Sequence, residues 1–448
     1  INNTGTITAT NVHGIDSQGS NATITNSGTI TANVHGIDSQ GSNATITNSG
    51  TITANVHGIF SQVTDSNATI TNSGTITAGQ FGISSQGSNA TINNTGIITA
   101  TNVHGIDSQG SNATITNSGT ITANVHGISS FGSNAIINNS GTITANIAFG
   151  IDSAGDNATI TNSGTITANN NDGIFSAGDN ATITNSGTIT ANNNNSGLVS
   201  LGSNATINNS GTITGAYAVQ GDPTNTNNNI TLNLLAGSRI FGRVDLEAGN
   251  DTVNIHGGST SANLTFENVE NINLLSAGFV DGDKVVTVDA TGESSRDLAL
   301  SQFTGSVHNL IAQRLDTPLK PVQVAALTGS TGLYFAARKP LAWGQFFGGK
   351  LDRDAEASAV GYDTTHGGVN FGYEWDVNST RVGLMGGFSK GKTEADTASF
   401  KTLTDSYYIG AYGSVKLGRV NLTTSLLAGV SDSDNERLVI DNLNGAEV

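Results

Sequence analysis

The chain has 448 residues, a formal net charge of −17 and no cysteine. That length calls for at least two structural units, and the missing cysteines exclude disulfides, thiolate metal sites and thiol redox chemistry. The acidic balance offers no basic patch to a phosphate backbone, which argues against nucleic acid as a partner, and no apolar run of about 18 residues exists to make a transmembrane helix.

Charge and aromatic residues are unevenly placed. No Lys or Arg precedes Arg239 and no Pro precedes Pro223, whereas both tryptophans, Trp343 and Trp375, lie in the C-terminal part. Residue 1 is Ile and no charged or apolar leader pattern follows it, so a secretory signal is expected to lie upstream or to have been removed.

An internal repeat dominates residues 1–221. Gly-Thr-Ile-Thr-Ala begins at Gly5, Gly28, Gly50, Gly74, Gly119, Gly141, Gly164 and Gly187, with variants at Gly96 and Gly211. Each unit of about 23 residues reads as three short strands and three turns: two Thr/Ile segments around an Asn-Ser-Gly corner, a third segment at His-Gly-Ile, and a Gly/Ser corner. Thr and Ile alternate with period two, as half-buried strands require. One unit buries too little apolar surface to fold alone, but stacked units place Ile30, Ile52 and Ile76 in one interior column. Gly and Asn are expected to supply the positive φ angles of the corners.

Equivalent positions bring polar side chains into columns. His13, His35 and His57 recur in consecutive coils, as do His104 and His126, and the column continues through Phe81, Phe149, Asp172 and Ser196. Phe in place of His fits a stacked ring better than a metal ligand, and no third and fourth ligand for zinc recur with it. Asp16, Asp38, Asp107 and Asp152 follow three residues later, in a column shared with Phe60, Ser84, Ser129 and Phe175. Such carboxylates can hold Ca²⁺ or serve as acid and base on a polysaccharide, but no Glu, Lys or Arg recurs beside them, so the expectation is a solvated face. Asn-Ala-Thr, recurring from Asn21, matches a glycosylation acceptor and is better explained as a stacked Asn ladder. Gly249-Asn250-Asp251-Thr252-Val253 resembles half of a calcium-binding repeat, occurs once, and reads as a turn into a strand at 252–255.

Residues 222–293 keep strand signals, as at Ile230–Leu234 and Val285–Val288, without the strict repeat, and are expected to be irregular coils ending the rod. A linker helix is predicted over 294–316: Ser294-Ser295-Arg296-Asp297 fits a capping box, and Leu300, Phe303, Val307, Leu310, Ile311 and Leu315 share helical spacing. Gln302, His308, Asn309, Gln313 and Arg314 make it too polar for lipid, so it needs a wet or protein-lined channel. After a connecting segment at 317–340, five strands are predicted near 342–350, 365–376, 380–391, 404–416 and 418–431. In one of them Val369, Phe371, Tyr373 and Trp375 share a face opposite Asn370, Gly372, Glu374 and Asp376. Val420, Leu422, Thr424, Leu426, Ala428 and Val430 alternate in the same way. Apolar residues outside and polar ones inside are the pattern of a transmembrane barrel; a soluble β-sandwich alternates too. Eight strands is the smallest usual barrel, so residues 341–448 are expected to be the N-terminal part of a larger one.

The ordered combination resembles the monomeric autotransporters of Gram-negative bacteria. It is carried by the Asn/Gly/Thr/Ile repeats, the junction Leu235-Ala236-Gly237-Ser238-Arg239-Ile240 with Gly249-Asn250-Asp251-Thr252, the helix ending at Arg314-Leu315, and Trp343-Gly344-Gln345. The trimeric branch fits less well, since no heptad stalk is present and more than four strands are. The resemblance implies an all-β chain: a right-handed parallel β-helix (β-solenoid) passenger, a linker helix lying in the pore, and part of a twelve-stranded antiparallel outer-membrane barrel. It implies outer-membrane lipid and the barrel-assembly machinery as partners, and a passenger at the cell surface. The expected role is display or secretion of a surface adhesin or aggregation module, with no catalytic, cofactor or metal residues. An enzyme passenger such as a polysaccharide lyase or peptidase, and a passive stalk for a head upstream of Ile1, are the alternatives. Against an enzyme stand the missing Gly-x-Ser-x-Gly elbow and the lack of an insertion large enough for a pocket.

Overall fold

The computed structural model describes the chain except for residues 63–66, 257–260, 289–290, 317–331, 336–340, 355–360, 378–379, 397–399, 418–419 and 448. Two compact units are present: Ile1–Val288 with Ile440–Glu447, and Asp289–Val439.

The first unit is a parallel β-helix. Its first face is a 13-stranded sheet that begins at Asn2–Asn3 and ends at Asn271–Leu275. A second face stacks the Gly-Thr-Ile-Thr-Ala strands, from Thr6–Ala9 onward, and a third stacks short strands such as Ile37–Ser39 and Ile59–Ser61. Register is strict: Ile46 pairs with Ile70, Ile52 with Ile76, and Ile59 with Ile83. Each face sends one Ile inward per coil, and Ile24, Ile30 and Ile37 are all 0 % exposed. The core is thus three Ile columns, built by period-two alternation and by in-register stacking.

The corners correct one expectation. Among the described residues of the regular coils, positive φ belongs to Asn21 and its equivalents, at 56–60°, and to Asn193 and Asn194, at 57° and 64°, while no glycine adopts it. Gly28 is needed instead because a Cβ there would overlap the carbonyl oxygen of Gly5 in the coil before it. Coils stacked at about 4.8 Å leave no room for a side chain where the backbone turns toward its neighbour.

Beyond Gly211 the coils loosen. Strand Thr212–Gln220 runs across two faces with register shifts against Arg239–Asp245. Ala262–Glu267, Gly278–Asp281 and Lys284–Thr287 then pair antiparallel.

The second unit contains the helix Thr291–Asp316 and a six-stranded antiparallel sheet. The helix begins before Ser294, so that residue lies within the first turn and is not its cap. The long strands are Leu341–Arg353, Tyr362–Val377, Thr380–Ala395, Phe400–Leu417 and Val420–Arg437. They exceed the predicted spans because pairing continues through polar ends such as Asp432-Ser433-Asp434-Asn435. Gly332–Phe335 adds a short sixth strand; the rest of the predicted connecting segment 317–340 lies outside the described residues. One face of the sheet is apolar and open, with Leu426 at 77 % and Ile409 at 72 % exposure. The other holds the helix, whose Val307, Leu310 and Ile311 pack on Trp343, Met385, Tyr408 and Tyr412. A sandwich would cover the apolar face with a second sheet, and among the described residues none does so.

Candidate functional site

On the third face of the β-helix two columns lie side by side. The rings of His13, His35 and His57 stack at 4.7 and 4.5 Å, Phe81 follows at 4.8 Å, and His104 and His126 stack at 4.5 Å. Phe149 continues the column and meets Phe175 of the neighbouring one at 4.5 Å. Four of the five imidazoles are fixed from the next coil, while the buried Nδ1 of His57 has no hydrogen-bond partner. His13 Nδ1 accepts the backbone N–H of His35 at 3.3 Å, His35 Nδ1 that of His57 at 3.3 Å, and His104 Nδ1 that of His126 at 3.2 Å. A backbone N–H can only donate, so these Nδ1 atoms carry lone pairs and the proton of each such neutral ring sits on Nε2.

The neighbouring carboxylates do not form a solvated face. Asp38 and Asp107 are 2 % exposed and Asp152 is 7 % exposed, whereas Asp16, in the first coil, is open. The reason is lateral cover. His13 Nε2 stands 3.6 Å from Asp38 Oδ2 and His126 Nε2 stands 3.7 Å from Asp152 Oδ2, while Gln40 donates to Asp38, and Ser84 and Gln109 donate to Asp107. Burial pushes the Asp152 carboxyl up to about 6 and raises that of Asp107. Burial, and next the charge of the neighbouring ring, hold His57 and His104 at about 4; burial does the same to His126 and, with His13, lowers His35.

His13, His35 and Asp38 bring possible ligand atoms within 4.8 Å of one another. Their geometry does not suit a cation. A ligating Nε2 would need its lone pair, which shifts the ring proton to Nδ1 and breaks the bond from the next coil. The rings also lie 14° from parallel, so in-plane lone pairs run side by side instead of converging. The stripe can pack, and it can take up protons.

Besides shorter ladders such as Asn55 to Asn33 and Asn192 to Asn169 to Asn146, two Asn ladders run along the regular coils. The outer one is the anticipated Asn-Ala-Thr ladder, as in Asn43 Nδ2 to Asn21 Oδ1 at 3.2 Å. The inner one, at the Asn-Ser-Gly corner, was not legible in the sequence. Asn26 donates to Asn48 Oδ1 at 2.7 Å and Asn94 to Asn117 Oδ1 at 2.7 Å, with all four side chains buried. An Asn followed by Ser-Gly reads as a turn, and only the coil path turns its amide inward. The Gly249–Val253 segment is the expected turn into a strand, Thr252–His256. Asp251 Oδ1 there accepts the Ile230 N–H at 2.6 Å, and burial pushes its carboxyl up to about 7.

In the second unit the end of the helix is clasped to the sheet. Arg314 Nη2 donates to Glu374 Oε1 at 2.9 Å, with both side chains about 5 % exposed, and the guanidinium lies 4.2 Å over the Trp343 ring. Tyr412 donates to Glu374 Oε2 at 2.9 Å and receives the Trp343 indole N–H at 2.8 Å. Alternation placed Glu374 on the polar face, but nothing local paired it with Arg314.

An open apolar face, a polar face that seats a helix through a buried ion pair, and strands of 13 to 18 residues describe a membrane barrel wall with its linker. Residues 342–447 match the family Autotransporter beta-domain. This segment is an autotransporter β-domain. No curated protein and no solved structure matches the chain. The autotransporter β-domain belongs in the outer membrane, and the β-helix that precedes it in the chain is its passenger, at the cell surface. No helix among the described residues is long and apolar enough to cross a membrane, and the autotransporter crosses with strands.

Proposed function

We propose that the passenger is a non-enzymatic adhesin or aggregation module, displayed by its β-domain after insertion by the barrel-assembly machinery. The observation that carries this reading is the uninterrupted stack. Coils follow every 22 to 24 residues from Gly5 to Gly211 with no Lys, Arg or Glu, so the rod offers long flat ladders and no insertion large enough to build a pocket. Catalysis needs convergent groups around a reacting atom. The buried Asp38, Asp107 and Asp152 are instead covered by rings and amides. Repetition suits adhesion, because many weak contacts along one rod add through effective concentration.

The test is display of the whole chain on a Gram-negative host, beside a variant lacking residues 91–158. Coil stacking is a nearest-neighbour property, so the shortened rod keeps its fold. Cell–cell aggregation and retention on immobilised glycans or matrix proteins are expected for the full chain and reduced in the shortened one. Turnover of polysaccharide or peptide substrates by the purified chain, abolished by Asp152→Asn, overturns the reading in favour of an enzyme.

A further inference from the structure

The second face of the β-helix carries a two-column array of threonine. In each regular coil the strand presents two outward side chains around a buried Ile, as Thr29 and Thr31 do around Ile30. One column runs from Thr6 to Thr212 with Ile97 as its single interruption, and the other runs from Thr8 to Thr214 with none. Register along both is unbroken, and the first shift comes only after Thr214. The array therefore repeats at about 4.8 Å between coils and about 6.7 Å along each strand. It has no charged and no aromatic member, and among the described residues none of its hydroxyls has a protein partner.

Strand propensity alone does not require this uniformity. The first face shows what the fold tolerates: its equivalent columns admit Asn93, Asn138, Asn208 and an outward Ile136. The third face carries the rings. Only the second face is a lattice of one side chain with a single break, at Ile97.

We propose that this face binds ice, with the ordered water layer of a prism face as its ligand. A partner for such an array must be uncharged, periodic in two dimensions, and both donor and acceptor at every lattice point. Each Thr offers one O–H that donates and accepts, and one methyl that excludes loosely held water. Its χ1 is stiff, so little entropy is lost on contact. Hexagonal ice repeats on its prism face at spacings within about a tenth of these two, so bridging waters held by the hydroxyls of a few successive coils match the crystal. Crystalline polysaccharide, the other neutral periodic partner, is held by aromatic rings laid on sugar faces, and this face has none. The inference rests on the reading of the passenger as a displayed binding module and names its ligand.

The test uses the full chain, purified in detergent and fluorescently labelled, with partition into a slowly grown ice hemisphere and ice-crystal faceting as readouts. Wild type is expected to enter the ice and facet crystals. The second-face variant Thr144→Lys/Thr167→Lys should lose partition by roughly tenfold or more, because an ammonium cannot be desolvated at a flat contact. The first-face variant Thr161→Lys/Thr184→Lys carries the same added charge in adjacent coils and should match wild type. Thr144→Asn/Thr167→Asn, a replacement the first face itself uses, guards against misfolding and should also lose partition; circular dichroism checks all three. Exclusion of wild type from ice, equal loss in both Lys variants, or retention on cellulose without ice partition overturns the inference. Exclusion from ice with aggregation intact removes ice as the ligand and leaves the adhesin reading standing. Ice binding without aggregation supports the inference and sinks aggregation as the role.

Discussion

His104 Nδ1 accepts the backbone N–H of His126 at 3.2 Å, and this bond fixes the tautomer of the neutral ring. Protonation of Nδ1 would replace an attraction with two opposed N–H groups, in a place where burial already disfavours charge.

The rod should therefore lose stability in mild acid. His57, His104 and His126 are held at about 4 in the folded chain, against about 6.5 unfolded, so the folded state binds fewer protons. Their contribution is present above the unfolded value and is lost as pH falls from about 6.5 toward about 4. Asp152, raised to about 6, and Asp107, also raised, act with opposite sign: their burial penalty eases as they protonate, which offsets part of the loss. Thermal unfolding of His13→Phe/His35→Phe/His57→Phe should be less acid-sensitive than wild type, with zinc changing neither. Tight zinc binding lost in the triple variant would contradict the stacking column.

Glycine substitutions should split by neighbourhood. At Gly119 a Cβ would overlap the carbonyl oxygen of Gly96, whereas at Gly5 it meets nothing within 4 Å. Gly119→Ala is expected to cost about 1 to 3 kcal/mol locally, as overpacking does, while Gly5→Ala should be neutral or slightly stabilising. Amide exchange over 91–123 in the full chain reads the first, and equal protection in both variants would refute the steric account.

The two Asn ladders should differ in cost. Asn117→Ala removes the acceptor of Asn94 and the donor to Asn139 inside the rod, at about 1 to 3 kcal/mol per orphaned group. Asn112 in the outer ladder has φ 60°, a conformation glycine adopts freely, so Asn112→Gly should change exchange rates little.

Breaking the clasp should loosen the linker helix. Arg314→Ala strands a buried Glu374 and is expected to cost about 3 to 5 kcal/mol, whereas Arg314→Met/Glu374→Leu removes both charges and should cost less. Limited proteolysis of helix Thr291–Asp316 in membranes tests this order. A double variant as labile as Arg314→Ala would show that the pair is not what seats the helix.

The sequence by itself determined the repeat, the three strands per coil, the inward Ile columns, the outer Asn ladder and the alternation of the barrel strands. All of these depend on period and register, which are local. Tertiary structure alone decided what lies beside what. It buried Asp38 under His13, placed a lone pair on His35 Nδ1, turned Asn26 inward, and gave Gly28 its role through the carbonyl of Gly5. It also joined Arg314 to Glu374 across 60 residues. Lateral neighbours depend on the path of the chain around a corner and on which side chain leans over which. Neither is encoded by the spacing of residues along a single strand.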